Sequence, residues 1–223
     1  MLMNRVETTL VNSPPRRWLQ RWYETRALLR IGGRLPVGGR AVEIGCGAGY
    51  GLQLLLTQFG AARVDGVDLD PAMVARARRR LASHGDRVRV AEGSATDLRA
   101  ALGADDGSYD AVVDFAIIHH IPDWRAAVAE VVRVLAPGGR FYFDEVTRHA
   151  LDRPSYQRLF DHPSHDRFTA EEFLTETARH GLVPLGSVTR ISGDYLLGVA
   201  AKPVPRPTPA TAAANADTDL RTR

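Results

Sequence analysis

From Arg40 onward, short apolar and β-branched runs alternate with stretches whose apolar residues recur at helical spacing. This is the pattern of βαβ units wound around a parallel sheet. Strands are predicted at Ala41–Gly45, Arg63–Asp68, Val88–Glu92, Ala111–Phe115 and Arg140–Glu145. Helices are predicted between them at Gly51–Phe59, Pro71–Ser83, Thr96–Leu102 and Trp124–Ala136. The last carries Ala127, Val131, Val132 and Leu135 on one face, and Pro137-Gly138-Gly139 stops it. A stretch rich in His, Asp and Arg from Thr147 to Arg167 breaks the rhythm and reads as a long loop, of the kind that is usually functional. Thr169 and Glu172 then form a capping-box pattern that opens a helix to about His180, closed by Gly181. Two final strands, Val183–Ile191 and Tyr195–Ala201, flank Ser192-Gly193-Asp194, whose hairpin chemistry requires at least one antiparallel strand.

The two ends of the chain read differently. Trp18, Leu19, Trp22 and Tyr23 recur at helical spacing after Ser13-Pro14-Pro15, predicting a helix that lies on the core. Beyond Lys202 the chain is rich in Pro, Ala and Thr without apolar periodicity, so burial cannot offset its ordering entropy and a disordered tail is expected. The predicted organisation is a helical cap over residues 1–33, one α/β domain over 34–202, and a tail over 203–223.

Composition adds boundaries. At 223 residues, 44% hydrophobic and 25% charged, the chain suits one globular domain with a full core. Arginine supplies nearly all the positive charge, with Lys202 the only lysine. Because the net charge is only +3 and no aromatic-basic RNA motif accompanies the arginine runs, Arg16, Arg17, Arg21, Arg26, Arg30 and Arg34 read as solvated faces rather than a nucleic-acid surface. Cys46 is the only cysteine, which excludes an intramolecular disulfide and a multi-cysteine metal site and fits a reducing compartment. Residues 1–12 include Glu7 and hold no apolar stretch of signal-peptide length, and no run reaches the roughly eighteen apolar residues of a membrane span. A cytoplasmic location without a membrane span is expected, and nothing in the pattern sets the oligomeric state.

The chemistry concentrates where the first strand turns into the first helix, at Glu43-Ile44-Gly45-Cys46-Gly47-Ala48-Gly49-Tyr50. Glycines there let a ligand approach bare main chain. The dinucleotide fingerprint Gly-x-Gly-x-x-Gly/Ala fits neither register: counted from Gly45 it ends on Tyr50, and from Gly47 on Leu52. An oxidoreductase using NAD is therefore the weaker alternative. Asp68, ending the second strand about twenty residues past the glycines, can accept both hydroxyls of a ribose. Asp70 precedes Pro71 and reads as the N-cap of the next helix.

The glycine spacing resembles motif I of the class I S-adenosylmethionine-dependent methyltransferases. Glu92-Gly93-Ser94-Ala95-Thr96-Asp97 is similar to that family's adenine-binding turn, with Ser94 where the family usually carries Asp. Tyr109 to Trp124 and Arg133-Val134-Leu135-Ala136-Pro137-Gly138-Gly139 resemble its later motifs, so the likeness runs from about Arg40 to Val146. The nearest group includes the ubiquinone and menaquinone biosynthesis methyltransferases. The resemblance implies a Rossmann-like, doubly wound, mostly parallel seven-stranded sheet with an antiparallel C-terminal hairpin strand. It also implies S-adenosylmethionine as cofactor, held by Glu43, Gly45, Cys46, Gly47, Gly49, Asp68, Leu69, Met73, Ser94, Ala95, Phe115 and Ala116. Within it, Glu43 orients the methionine end and the Phe115-Ala116 backbone lines the far side.

The acceptor implied is a small molecule with an O, N or C nucleophile, aromatic compounds and secondary metabolites included. The Asp/Asn-Pro-Pro-Tyr motif of nucleic-acid base methyltransferases is absent after the fourth strand, where Asp114-Phe115-Ala116-Ile117 stands. His119 and His120 fall at the pocket mouth, where an imidazole can take a proton from the nucleophile, or can simply pack the loop. Asp114, inside an apolar run, reads as a hydrogen-bonded structural carboxylate. His149, His162 and His165 with Asp161 and Asp166 match no standard zinc spacing, so no metal is expected, and Asp161 to His165 reads as a polar loop over the acceptor pocket. Trp18, Trp22 and Tyr23 read either as a pocket wall or as ordinary helix packing. A non-catalytic cofactor-binding regulatory module is the third class compatible with these residues.

Overall fold

The computed structural model describes residues 9–159 and 165–205. The expected tail from 206 on and the segment 161–164 of the expected polar loop lie outside the described residues. Helix α1 begins as Pro14–Leu19, passes through a wider π turn at Gln20–Glu24 and ends as Thr25–Gly32. Then come β1 (Arg40–Ile44), α2 (Tyr50–Leu54, continued by the π turn Leu55–Phe59), β2 (Arg63–Asp68) and α3 (Pro71–Leu81). The chain continues through β3 (Val88–Glu92), α4 (Leu98–Leu102), β4 (Tyr109–Phe115), α5 (Trp124–Val134) and β5 (Leu135–Val146). Two short helices, α6 (Arg148–Leu151) and α7 (Pro154–Leu159), precede α8 (Ala170–Arg179), β6 (Val183–Arg190) and β7 (Tyr195–Ala201).

The seven strands form one sheet in the order β3-β2-β1-β4-β5-β7-β6. β1 to β5 pair in parallel, and β7 runs antiparallel to both β5 and β6, as the hairpin chemistry predicts. The order reverses between β1 and β4, where loops diverge to opposite sides and leave a crevice at the strands' carboxyl ends.

Alternate residues of the central strands feed two cores, one on each face of the sheet. Ala41, Val64, Val113 and Tyr142 meet Leu28 of α1, Leu52 and Phe59 of α2, and Val74 and Ala77 of α3. Val42, Ile44, Val112, Phe141 and Phe143 meet Leu98 of α4, Val128 and Val131 of α5, and Phe173 of α8. Burial on both faces explains the successive apolar residues Ala111-Val112-Val113 in β4. β6, at the edge, is mostly exposed and carries Pro184 at a register shift, which blunts further pairing.

Several local expectations shift for identifiable reasons. Asp97 caps α4 through the Ala100 N–H, so that helix starts at Leu98 rather than Thr96. Helix α5 ends at Val134 because Leu135 already pairs with Tyr109, which lengthens β5 well beyond the expected Arg140–Glu145. The expected loop after β5 contains α6 and α7. Thr147 Oγ1 caps α6 by accepting the His149 N–H, and Arg167 donates to the Leu151 carbonyl and the Asp152 carboxylate, so this stretch closes its own hydrogen bonds. Helix α1 does lie on the sheet, but its buried face is Gln20, Glu24, Thr25, Leu28 and Gly32. A Cβ at Gly32 would sit 2.5 Å from the Tyr142 ring, so glycine sets the approach of α1 to β5. Trp18 and Trp22 face outward, whereas Leu19 and Tyr23, also partly exposed, line a cavity. None of the described helices is long and apolar enough to cross a membrane.

One polar knot ties the far half of the sheet. The buried Asp65 carboxylate on β2 accepts from Arg40 of β1, Arg89 of β3 and the buried Tyr109 hydroxyl of β4. Burial pushes its pKa up, but the donors from Arg89, Tyr109 and Arg40 outweigh that and hold it below the ordinary value. An Asp with a depressed native pKa stabilises the fold above its unfolded pKa and loses that contribution as pH falls through the native one. Asp65→Asn is expected to destabilise the protein at pH 7 by about 2 kcal/mol. Urea unfolding of both proteins should show the gap closing as pH falls below the ordinary carboxylate range; a gap independent of pH would show that the charge is not what matters.

Candidate active site

The β1-to-α2 connection makes a tight bend because Gly45, Gly47 and Gly49 all take positive φ, at 64°, 49° and 79°. A Cβ at Gly45 would lie 2.1 Å from Ile117, and one at Gly49 would press on Ala77 of α3, so glycine is required at both. Asp68, at the end of the neighbouring strand, fixes the bend from outside. Its Oδ2 accepts the Gly47 N–H at 2.7 Å and its Oδ1 accepts the Asp70 N–H at 2.9 Å. Each oxygen keeps a free lone pair for a ligand hydroxyl. Burial raises the Asp68 pKa above its ordinary value, an effect the two N–H donors oppose. Asp70 itself caps α3 by accepting the Ala72 N–H, as its place before Pro71 predicts.

A cavity of about 310 Å³ lies at this crevice, lined by Gly45, Asp68, Leu69, Met73, Ser94 and Ala95, together with Thr96, Ile117, His120, Ile121 and Pro122. Six of the predicted cofactor residues are thereby brought to one wall. The other six lie elsewhere. Gly47 and Gly49 shape the bend behind it. Cys46 is buried against Gly66, and burial, then the nearby Glu43 and Asp68 charges, hold its thiol well above the ordinary range. Glu43 lies under the bend with Oε1 against Gly51, where a side chain could not fit. Its Oε2 is buried without a hydrogen-bond partner, and burial followed by the charges of Asp68 and Asp114 drives its pKa well up. Phe115 packs into the core. Ala116, at φ 64°, lines a second cavity instead. Ser94 Oγ accepts the Thr96 N–H and shares a hydrogen bond with Thr96 Oγ1, so the serine at this position closes a local turn.

The second cavity, about 460 Å³, is separated from the first by His120, which lines both. Its walls are largely apolar: Leu10, Val11, Leu19, Val146, Ile191 and Leu197, with Tyr23, Tyr156 and Tyr195. The Tyr156 and Tyr195 hydroxyls share a hydrogen bond of 2.6 Å. Its polar groups are His119, His120, Arg16, Glu24, Asp144 and Arg190. Arg16, expected to be solvated, is instead turned inward, where it donates to both Glu24 oxygens at 2.7 and 2.6 Å and stands 3.8 Å from Asp144. Burial and the Glu24 charge lift the Asp144 pKa well above the carboxylate range, with Arg16 opposing. Two buried carboxyls thus share one guanidinium.

His119 and His120 sit in a short 3₁₀ turn, Ile118–His120, and both are buried. Glu145 of β5 builds this turn. Its carboxylate accepts the Ile118 N–H at 2.6 Å, the His119 N–H at 3.3 Å, and His119 Nδ1 at 2.6 Å. That contact fixes the orientation of the His119 ring. Asp114 accepts the Ile117 N–H, the structural use predicted for it. Burial and the neighbouring Glu145 push the Asp114 pKa well up, and burial raises that of Glu145 as well, against its main-chain donors. Asp144 and Glu145 escaped sequence reasoning although their signal was visible: two carboxylates directly after the apolar run Phe141-Tyr142-Phe143. Arg16 and Glu24 gave no comparable signal, because their spacing on a surface-like helix looks solvated.

Comparison with known proteins agrees with this geometry. The family described as "Methyltransferase domain" matches residues 41–139. A probable S-adenosylmethionine-dependent methyltransferase of Mycolicibacterium smegmatis is 41% identical over 104 residues, covering 47% of this chain and 37% of that protein. A ubiquinone biosynthesis O-methyltransferase of Xanthomonas axonopodis pv. citri is 33% identical over 113 residues, 51% of this chain and 45% of that protein. The chain thus spans half the length or less of these relatives. Among solved structures, a SAM-dependent methyltransferase from Aquifex aeolicus superposes with a TM-score of 0.67 at 19% identity, over 89% of this chain and 97% of that one. Residues 41–139 are thus similar to a methyltransferase domain, and the glycine bend and the strand order agree with that likeness.

Proposed function

We propose that this chain transfers the methyl group of S-adenosylmethionine to a nucleophile on a small, mostly apolar acceptor. The observation that carries the reading is the pair of adjoining cavities divided by His120, one beside the glycine bend and Asp68, the other apolar with a polar floor. The residues present fit the cofactor. Asp68 has lone pairs to spare for a ribose, Gly45 lines the same cavity, and the orphaned Oε2 of Glu43 suits a cationic amino group that would bring its raised pKa back down. In this reading Gly45, Asp68, Leu69, Met73, Ser94 and Ala95 hold the adenosine, while Glu43, Cys46, Gly47, Gly49, Phe115 and Ala116 shape the methionine end. The cofactor supplies a methyl activated by a sulfonium charge.

The chain's own residues then position and deprotonate. An apolar cavity of this size excludes water, and holding the nucleophile at near-attack distance supplies roughly 7–11 kcal/mol of barrier reduction. His120, at the junction, is placed to take the proton of a hydroxyl or amine nucleophile. His119, oriented by Glu145, is the second candidate, and Asp144 with Glu24 offers acceptors for a hydroxyl at the floor. Arg16 is paired with Glu24 and stands near Asp144 on that floor. Residues 34–202 act as the catalytic unit, with the segment up to residue 33 closing the acceptor side, in the cytoplasm, where the buried Cys46 thiol stays reduced.

Asp68→Ala is expected to weaken binding of S-adenosylhomocysteine by at least about tenfold, since hydrogen bonds to a charged group are worth ~1.5–3 kcal/mol. Calorimetry checks this, and unchanged affinity would refute the assignment of Asp68. Wild-type affinity should also fall on acidification already above the ordinary Asp pKa of 3.8, because burial raises that of Asp68. Once an acceptor is found by screening metabolites for methyl gain, His120→Ala should lower kcat by about 10²–10⁴-fold while leaving cofactor affinity nearly intact; a kcat within a factor of about two would remove His120 as the base.

A further inference from the structure

The outward face of α1 is unusual for a helix on a globular domain. Trp18 is 64% exposed and Trp22 43% exposed, and Leu19 and Tyr23 lie beside them. Basic side chains lie beside these rings: Arg26 and Arg21 stand over Trp22 at 4.4 and 5.6 Å, Arg30 is exposed on the same helix, and Arg17, on its flank, stands over the Tyr50 ring at 5.8 Å. Across the described residues 9–34 the only carboxylate is Glu24, which is buried and held by Arg16. The surface is therefore apolar at its centre and cationic around it.

The patch is continuous with the acceptor cavity. Leu10, Val11, Leu19, Tyr23 and Ile191 line the cavity and are also exposed, so they form its rim. Ile191 sits at the tip of the β6–β7 hairpin with φ 50°, a strained conformation for a β-branched residue, and is 63% exposed. A strained residue that holds an apolar side chain in water at a cavity mouth points to a functional contact.

We propose that this face docks on an anionic lipid surface, with Trp18 and Trp22 in the headgroup region and Arg17, Arg21, Arg26 and Arg30 against lipid phosphates. Amphipathic helices with aromatic residues on one side and arginines around them lie in that interface. Docking would turn the cavity rim toward the acyl region, so a lipophilic acceptor enters without crossing water; this second part rests on the methyl-transfer reading, whereas docking itself does not. A second copy of the chain is the poorer occupant, because a two-fold contact would set the arginine cluster against its own image.

The test uses the full chain with vesicles of phosphatidylcholine alone or mixed with phosphatidylglycerol, some carrying brominated acyl chains. The chain has three tryptophans and Trp124 is buried in the core, so bromine quenching reports on Trp18 and Trp22. The expected results are flotation with anionic vesicles, a blue shift with quenching, and weakening with salt. Trp18→Ser/Trp22→Ser and Arg17→Glu/Arg21→Glu/Arg26→Glu should each reduce partitioning at least about tenfold. Both variants should keep the circular dichroism spectrum and S-adenosylhomocysteine affinity of the wild type, which separates lost docking from misfolding. Equal partitioning of wild type and variants, no partitioning at low salt, a dimer that shields Trp18 and Trp22, or quenching by RNA in place of lipid would each overturn the proposal. Loss of cofactor binding in the wild type would instead refute the methyl-transfer reading and leave docking standing.

Discussion

The geometry of the site depends on main chain being brought close to a carboxylate. Three left-handed glycines let β1 turn sharply into α2, and the Asp68 carboxylate, one strand over, takes the Gly47 N–H and holds that turn in place. Neither part works alone. A bend without the carboxylate would be free to open, and a carboxylate without the bend would have no amide to grip. Because β1 and β2 are paired in register through Ile44 and Val67, the sheet itself sets the distance between the two.

A second constraint is the burial of acids at the carboxyl ends of β4 and β5. Asp114, Asp144 and Glu145 are all buried, with Glu24 added by α1. Carboxylates removed from water are costly unless they are protonated or well donated to. Here Asp114 and Asp144 have strongly raised pKa values, and Glu145, also raised by burial, collects main-chain donors and the His119 ring contact. The result is a turn that carries both histidines against the larger cavity. The same acids draw Arg16 inward from α1, where Arg26 and Arg30 are exposed.

The sheet was legible because its signal is local. Short apolar and β-branched runs, glycine and proline punctuation and the Thr169–Glu172 capping box act within a few residues, and β2, β3 and β7 lie where the pattern puts them. The lining of the smaller cavity was legible for the same reason, since Gly45, Asp68, Ser94 and Ala95 end or follow their strands. The larger cavity was not. Its polar floor joins Arg16 and Glu24 of α1 to Asp144 of β5, a contact between segments more than a hundred residues apart that no window of sequence displays. The aromatic residues of α1 show the converse limit: helical spacing gave the helix, but only the packing of Gly32 against Tyr142 decides which face is turned away from the sheet.

A crystal structure of the chain with S-adenosylhomocysteine would examine this arrangement most directly. The account predicts the adenosine in the cavity beside Leu69 and Ser94, both ribose hydroxyls on Asp68, and the sulfur directed past Ala116 toward His120 and the larger cavity. A ligand seated elsewhere, or an Asp68 carboxylate bonded only to the Gly47 and Asp70 amides with the ligand present, would contradict it.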